Sequence, residues 1–212
     1  VGLGIVGFAS FKALEYYIMP KFSDENFIVH GAMIDNLQFV GKHAAEIKME
    51  NIAETVKEMK QVYQSNITRP LANRRKVLQA LYKMFDENEE KIVAAIQADL
   101  GRDRFMTVAS EVMGVKGEIK HLLANLEKYN APKRIPMDVM TFPAVEYEVA
   151  EPYGTVFINS IWNFPFSTTF GPAAGAIAAG NNVVIKPCQT AMESSKLMCD
   201  LVNKYIDSKF VQ

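Results

Sequence analysis

What most limits the folds open to this chain is the order of elements in its last third. Thr155-Val156-Phe157-Ile158 is a short apolar run suited to a buried strand. Residues 165–180 then read as a helix, opened by Pro165, bent at Pro172 and stopped by Gly180-Asn181. Asn182-Val183-Val184-Ile185-Lys186 is the next apolar run. Thr190-Ala191-Met192-Glu193 has the T-x-x-E form of a capping box, which starts a last helix with Leu197, Leu201 and Tyr205 facing inward. Strand, helix, strand, helix calls for a parallel sheet with right-handed crossovers. Asp207 to Gln212 reads as the start of a further strand, cut short.

Upstream, the apolar period becomes helical. Ile52, Val56, Met59 and Val62 mark a first helix. Pro70, at a favoured first-turn position, opens a second with Leu71, Leu78, Leu81 and Phe85 on one face. Asn88 is the expected cap of a third, carrying Ile92, Val93 and Ile96 and stopped by Gly101. A fourth follows from Val108 through Val112, Val115, Ile119 and Leu126. Each apolar stripe must be buried on a neighbouring helix or on the sheet. Pro132, Pro136 and Pro143 mark a non-helical crossing over residues 131–144, and Val145 to Val149 alternates like a half-exposed strand. The expected class is α/β: amino-terminal helices packed on a doubly wound, mostly parallel, Rossmann-like sheet, truncated before a catalytic domain.

Residues 1–50 read as an apolar, irregular leader of unassigned role, and residues 51–212 as the domain proper. Gly2-Leu3-Gly4-Ile5-Val6-Gly7 spells the dinucleotide fingerprint, but only Val1 is left to form the strand that must precede it, so a flexible apolar segment is the better reading. Lys12 and Glu15 interrupt residues 1–18, which fit the tail of a membrane anchor, the remains of a signal sequence, or an amphipathic helix lying on the domain.

A net charge of −1 gives no bulk pull toward nucleic acid. The two cysteines, Cys188 and Cys199, form neither a CxxC pair nor a zinc spacing; no metal site is expected, and a reducing compartment fits. The expected location is cytoplasmic, or membrane-associated and facing the cytosol if residues 1–18 anchor the chain. His30, His43 and His121 match no motif and read as surface residues.

In parallel sheets of this kind ligands sit at the carboxyl ends of strands. Two stretches occupy those ends: Ile161-Trp162-Asn163-Phe164-Pro165 and Lys186-Pro187-Cys188-Gln189. Asn163 offers an amide that can donate to a developing negative oxygen. Lys186 offers a compact cation suited to ribose hydroxyls or phosphate. Donors of this kind beside a helix start suit an anionic nucleotide.

Together with Glu151-Pro152-Tyr153-Gly154, Gly175-Ala176-Ile177-Ala178-Ala179-Gly180-Asn181 and Ile185-Lys186-Pro187, the Trp162-Asn163-Phe164-Pro165 stretch resembles the aldehyde dehydrogenase superfamily. The likeness is strongest to its class 3, fatty-aldehyde branch and runs from about Asn51 to Gln212; Thr68-Arg69-Pro70-Leu71, Ala98-Asp99-Leu100 and Glu111 fit it as well.

The resemblance implies an NAD(P)-dependent oxidation of an aldehyde, of medium or long chain, to a carboxylic acid. A cysteine thiolate attacks the carbonyl, hydride passes to the nicotinamide, and water hydrolyses the thioester with a glutamate as base. In that scheme Asn163 donates in the oxyanion hole, Ile161 and Trp162 line the nicotinamide side, and Lys186 holds the adenosine ribose. Gln189 stands where the family often has a ribose-binding glutamate. The nucleophile, the base and a second glycine-rich loop lie beyond residue 212 in that family, and neither Cys188 nor Cys199 is placed to replace the nucleophile. A small-molecule aldehyde and a homodimer of the full-length form are the implied partners. The alternative is a truncated, non-catalytic homologue that binds nucleotide or a partner subunit.

Overall fold

The computed structural model describes residues 50–136 and 138–212, with side chains described from Glu54 onward. The glycine fingerprint at residues 2–7, the membrane readings of residues 1–18, His30 and His43 lie outside the described residues.

Seven α-helices are described: α1 (Glu50–Gln64), α2 (Leu71–Glu87), α3 (Glu89–Leu100), the single turn α4 (Arg104–Thr107), α5 (Gly114–Asn130), α6 (Ser167–Ala178) and α7 (Met192–Tyr205). A π-helical segment, Val108–Met113, joins α4 to α5. β1 (Lys133–Arg134) pairs antiparallel with β2 (Tyr147–Glu148), and β3 (Thr155–Asn159) pairs parallel with β4 (Asn182–Lys186).

The α/β class is as expected. On the side of β4 away from β3, residues at the end of the chain add the beginning of another parallel strand. Val183 and Val211 form a bridge, the Ile185 amide donates to the Gln212 carbonyl at 2.7 Å, and the Gln212 amide donates to the Val183 carbonyl at 3.0 Å. β4 is thus bonded on both edges.

Alternation along β4 sorts the two faces. Val183 and Ile185 belong to the core with Phe170 of α6 and Met198 of α7. Asn182 points the other way, and its amide donates to the Met59 carbonyl of α1. α1 therefore lies on the face opposite α6, giving the doubly covered sheet. The cover on the α1 side is partial. Phe157, which pairs with Val184 on that face, is 61% exposed, so β3 is half-exposed rather than the buried strand its apolar sequence suggests.

The core has a helical half and a sheet half, joined by three rings. Leu78, Leu81, Met84 and Phe85 form the stripe of α2. Phe85 meets Phe166 and Phe170 edge-on, with centroids 6.2 and 5.3 Å apart. α2 packs on α5 and α6, and α3 packs on α7. This burial, at about 25 cal/mol per Å² of apolar surface, is what fixes the helices to the sheet.

Four local expectations are corrected. Residues 145–149 do not form a strand with one buried face; only Tyr147–Glu148 pair, in a small separate hairpin, with both residues exposed. Asn88 precedes α3, but its side chain accepts from no amide of that helix. Buried between helices, its amide donates to the Met84 carbonyl at 2.9 Å and to the Tyr205 hydroxyl at 3.0 Å. The fourth helix is broken by the π-helical segment, which its three-and-four spacing did not betray. Thr190 does not cap α7; its hydroxyl contacts Cys188 Sγ instead.

The cap of α7 comes from α3. The Asp99 carboxylate accepts from the backbone amides of Glu193 at 3.1 Å and Ser194 at 2.8 Å. A carboxylate at this end also meets the positive pole of the helix. Asp99→Ala is expected to lower unfolding free energy by about 1–2 kcal/mol. Asp99→Asn, which keeps an acceptor, should lose less; equal losses in urea titrations would contradict the capping role.

Candidate functional site

The family-like stretches first build the frame that carries the strand ends. The Gly154 amide donates to Asn181 Oδ1 at 2.8 Å, and the Asn182 amide donates to the Gly154 carbonyl at 3.2 Å. These bonds join the Glu151–Gly154 turn to Gly180-Asn181 at the starts of β3 and β4. They set the register Thr155↔Asn182 through Asn159↔Lys186. The far ends of the two strands therefore lie side by side.

At those ends Lys186 is exposed and its ammonium donates to Asn159 Oδ1 at 3.3 Å. The Ser160 amide donates to the Lys186 carbonyl at 2.9 Å, so the loop that carries Asn163 leaves β3 tied to Lys186. Ser160 is buried, and its hydroxyl is met by Thr169 Oγ1 at 2.7 Å. Ile161 and Trp162 are exposed, at 46% and 57%. Asn163 is half-buried, and its side-chain amide has no hydrogen-bond partner among the described residues. Gln189 is exposed on the loop after β4, likewise without a described side-chain partner.

Ile161, Trp162 and Asn163 thus occupy one loop, Lys186 and Gln189 the neighbouring one, and the two loops share a hydrogen bond. This set fits a nucleoside carrying hydroxyls: an exposed cation with no ion-pair partner among the described residues, and amide donors, bordered by exposed apolar surface.

The helix starts, however, are not open to an anion. At the start of α6 the Glu111 carboxylate accepts from the amides of Phe166 at 2.9 Å and Ser167 at 3.0 Å. At the start of α7 Asp99 plays the same part. The expectation that a helix start contributes to nucleotide binding is corrected: both positive ends are already met by carboxylates of the chain itself.

Arg102 is the site-related residue that motif reading missed, and Glu111, named there only as part of the resemblance, was given no role. Glu111 is fully buried, and its other oxygen accepts from Arg102 Nη1 at 2.7 Å. Arg102 Nη2 donates to the Asn163 carbonyl, and the guanidinium carbon lies 4.5 Å from the centroid of the Phe164 ring. Burial pushes the Glu111 carboxyl above its ordinary range, opposed by the two amides and by Arg102. The available signal was an acid on the apolar stripe between Val108 and Val112, since a buried charge requires a partner.

The cysteines divide as follows. Cys188 is half-buried beside Thr190. Cys199 is exposed on α7. Desolvation by its neighbours and then the Asp200 carboxylate raise its thiol pKa, the opposite of what an activated nucleophile needs. His121 is exposed and bonded to the Tyr129 hydroxyl at 2.8 Å.

The aldehyde dehydrogenase family model matches residues 37–208. The chain is 39% identical over 152 residues to aldehyde dehydrogenase family 3 member A2 of Pongo abelii, covering 72% of this chain and 31% of that protein. It is 39% identical over 165 residues to aldehyde dehydrogenase 1 of Entamoeba histolytica, covering 78% and 31%. It therefore spans about a third of the length of the curated relatives it matches. Among solved structures it resembles the substrate-bound AldH of Staphylococcus aureus, with a TM-score of 0.74 and 29% identity over 76% of this chain and 35% of that one. Succinic semialdehyde dehydrogenase of Streptococcus pyogenes, solved with NADP+, shares the fold at a TM-score of 0.68 and 15% identity, over 78% and 36%. With the Trp-Asn-Phe-Pro loop and the Lys186 loop side by side at the strand ends, the chain belongs to the aldehyde dehydrogenase family.

Proposed function

We propose that this chain supplies the nucleotide-side portion of an NAD(P)-dependent aldehyde dehydrogenase, with residues 51–212 forming the front of its cofactor-binding domain. The observation that supports this best is the junction at Asn159, Ser160 and Lys186, which brings one cation and one unpartnered amide loop to adjacent strand ends. In this reading Lys186 holds the adenosine ribose and Gln189 assists it. Ile161 and Trp162 border the nicotinamide, and Asn163 donates its amide hydrogen to the oxygen of the reacting carbonyl as that oxygen gains charge. The nicotinamide, when bound, supplies the hydride acceptor.

NADP in the Streptococcus pyogenes structure supports a dinucleotide cofactor. Likeness to family 3 members supports the class 3 assignment and, with it, a medium- or long-chain aldehyde. A homodimer is supported by the segment between β1 and β2, where Val139, Met140 and Phe142 are 88%, 90% and 70% exposed, an apolar surface suited to a second copy. No described helix is long and apolar enough to cross a membrane.

The test is made on the full-length gene product. Reduced cofactor and carboxylic acid should form in equal amounts from an aldehyde. Nucleotide binding without turnover would instead favour a non-catalytic binding module. Cofactor choice adds a second measurement. Glutamine at position 189 can bond a ribose hydroxyl without repelling a 2′-phosphate. Gln189→Glu should weaken NADP relative to NAD by about tenfold, on the order of 1 kcal/mol for two like charges near solvent. An unchanged ratio of dissociation constants would end that assignment.

A further inference from the structure

We propose that Arg102 and Glu111 are positioning residues for the Asn163 loop: an ion pair with a buried carboxylate and a part-buried guanidinium that fixes where the Asn163 amide points. The inference deepens the reading of Asn163 as an oxyanion donor and rests on it.

The geometry is a chain of contacts with few free joints. Glu111 lies in the π-helical segment Val108–Met113, where the widened turn interrupts the regular helix. From there its fully buried carboxylate reaches two consecutive amides, Phe166 and Ser167, on the residues that follow Pro165. The same carboxylate holds Arg102 Nη1 at 2.7 Å. Arg102 then grips the loop twice, through the Asn163 carbonyl and over the face of the Phe164 ring.

The loop is therefore held at three successive places: the backbone of Asn163, the side chain of Phe164 and the backbone at Phe166 and Ser167. None of these contacts uses the Asn163 side chain. The ion pair fixes the backbone and leaves the amide available. An oxyanion donor must be preset to the oxygen's later position, since a group that reorients during the reaction loses much of its effect. At the other end Ser160 is fixed by Lys186 and Thr169. The Phe164 and Pro165 carbonyls are already held by Thr168 and Thr169 of α6, so what Arg102 and Glu111 add is an anchor at Asn163 itself.

The pairing is specific to its residue types. Lysine at position 102 would keep the charge but lose the planar fork that bonds Glu111 and the Asn163 carbonyl together. Glutamine at position 111 keeps the shape of the side chain but removes the charge that orients Arg102.

The test uses the full-length gene product with Arg102→Met, Arg102→Lys, Asn163→Ala and the double variant Arg102→Met/Asn163→Ala. Arg102→Met is expected to lower kcat about tenfold or more, to change NAD dissociation less than twofold, and to speed amide hydrogen exchange at residues 160–167. Arg102→Lys should recover part of kcat. In the Asn163→Ala background Arg102→Met should lower kcat less than twofold further, because the group it positions is gone. Full additivity of the two losses overturns the inference, as does unchanged exchange in the loop. If Asn163→Ala alone leaves kcat unchanged, the oxyanion reading fails and the inference falls with it. If Asn163→Ala is damaging but Arg102→Met is not, only the inference fails. If Arg102→Met does not fold, Glu111→Gln is taken through the same cycle and judged by the same outcomes. If the wild-type protein oxidises no aldehyde, the oxyanion reading and the inference are both overturned.

Discussion

If the proposed function holds, Asn163→Ala in the full-length gene product is expected to lower kcat by a factor of 10²–10³, about 3–4 kcal/mol, the usual cost of one oxyanion donor. Its effect on nucleotide affinity should stay within about twofold, because Lys186 and Gln189 stand on a different loop. Stability should hardly change, since the amide has no described partner to lose and Asn163 is only half-buried. This combination separates a catalytic donor from a structural asparagine, whose removal would lower the melting temperature first. Asn181 provides the contrast: it is buried, accepts from the Gly154 amide and donates to the Ala176 carbonyl at 3.1 Å, so its loss should be read in stability. Steady-state rates, nucleotide titration and thermal melts on the same samples decide the matter. An unchanged kcat would remove Asn163 from the mechanism.

Gly180→Ala is expected to cost about 2–4 kcal/mol of unfolding free energy, a sum of two effects. Gly180 has φ +95°, where any side chain is strained by about 1–3 kcal/mol. A Cβ there would also lie 2.8 Å from Arg74 Nη2 and 2.9 Å from its guanidinium carbon. That guanidinium cannot simply swing away. Buried and 5% exposed, it donates to the Thr68 carbonyl at 3.2 Å, Asn130 Oδ1 at 3.0 Å and the Ala178 carbonyl at 3.1 Å. Burial and then Arg69 lower the Arg74 pKa, which reflects how little water reaches it. Hydrogen bonds from a charged group are each worth about 1.5–3 kcal/mol, so displacing them is costly. Combining Gly180→Ala with Arg74→Ala should give less than the sum of the two losses, because the clash is counted once. A Gly180→Ala melt within experimental error of wild type would contradict the close approach.

The parts of the fold legible in the sequence were those set by local period and by turn chemistry. The stripe of α2, the stop at Gly101 with φ +64°, and the two strands, read at 155–158 and 182–186 and found at Thr155–Asn159 and Asn182–Lys186, all followed from spacing and from glycine placement. Residues that act over long sequence distances were not legible. Asp99 caps a helix 94 residues away, while the nearer T-x-x-E pattern goes unused. Asn88, well suited to capping, is used instead to join α2 to α7. Local chemistry offers a backbone amide several partners, and tertiary packing chooses among them. The same holds for the candidate site. Asn163 and Lys186 stood out because they occur in short stretches at strand ends. Arg102 and Glu111 act from a helical layer 50 and more residues earlier, and only the assembled structure brings them beneath the loop.

The π-helical segment also has a genetic meaning. Each residue added to or removed from a helix turns what lies beyond it by about 100°. Met113, 64% exposed, sits at the join between this segment and the helix whose Val115, Ile119 and Leu126 fill the core. Loss of that one codon, with those three kept seated, would turn the acid at 111 away from the start of α6, and the buried Val112 with it. A single in-frame deletion would therefore release the loop from its support at a cost to the core that Val112 helps to fill.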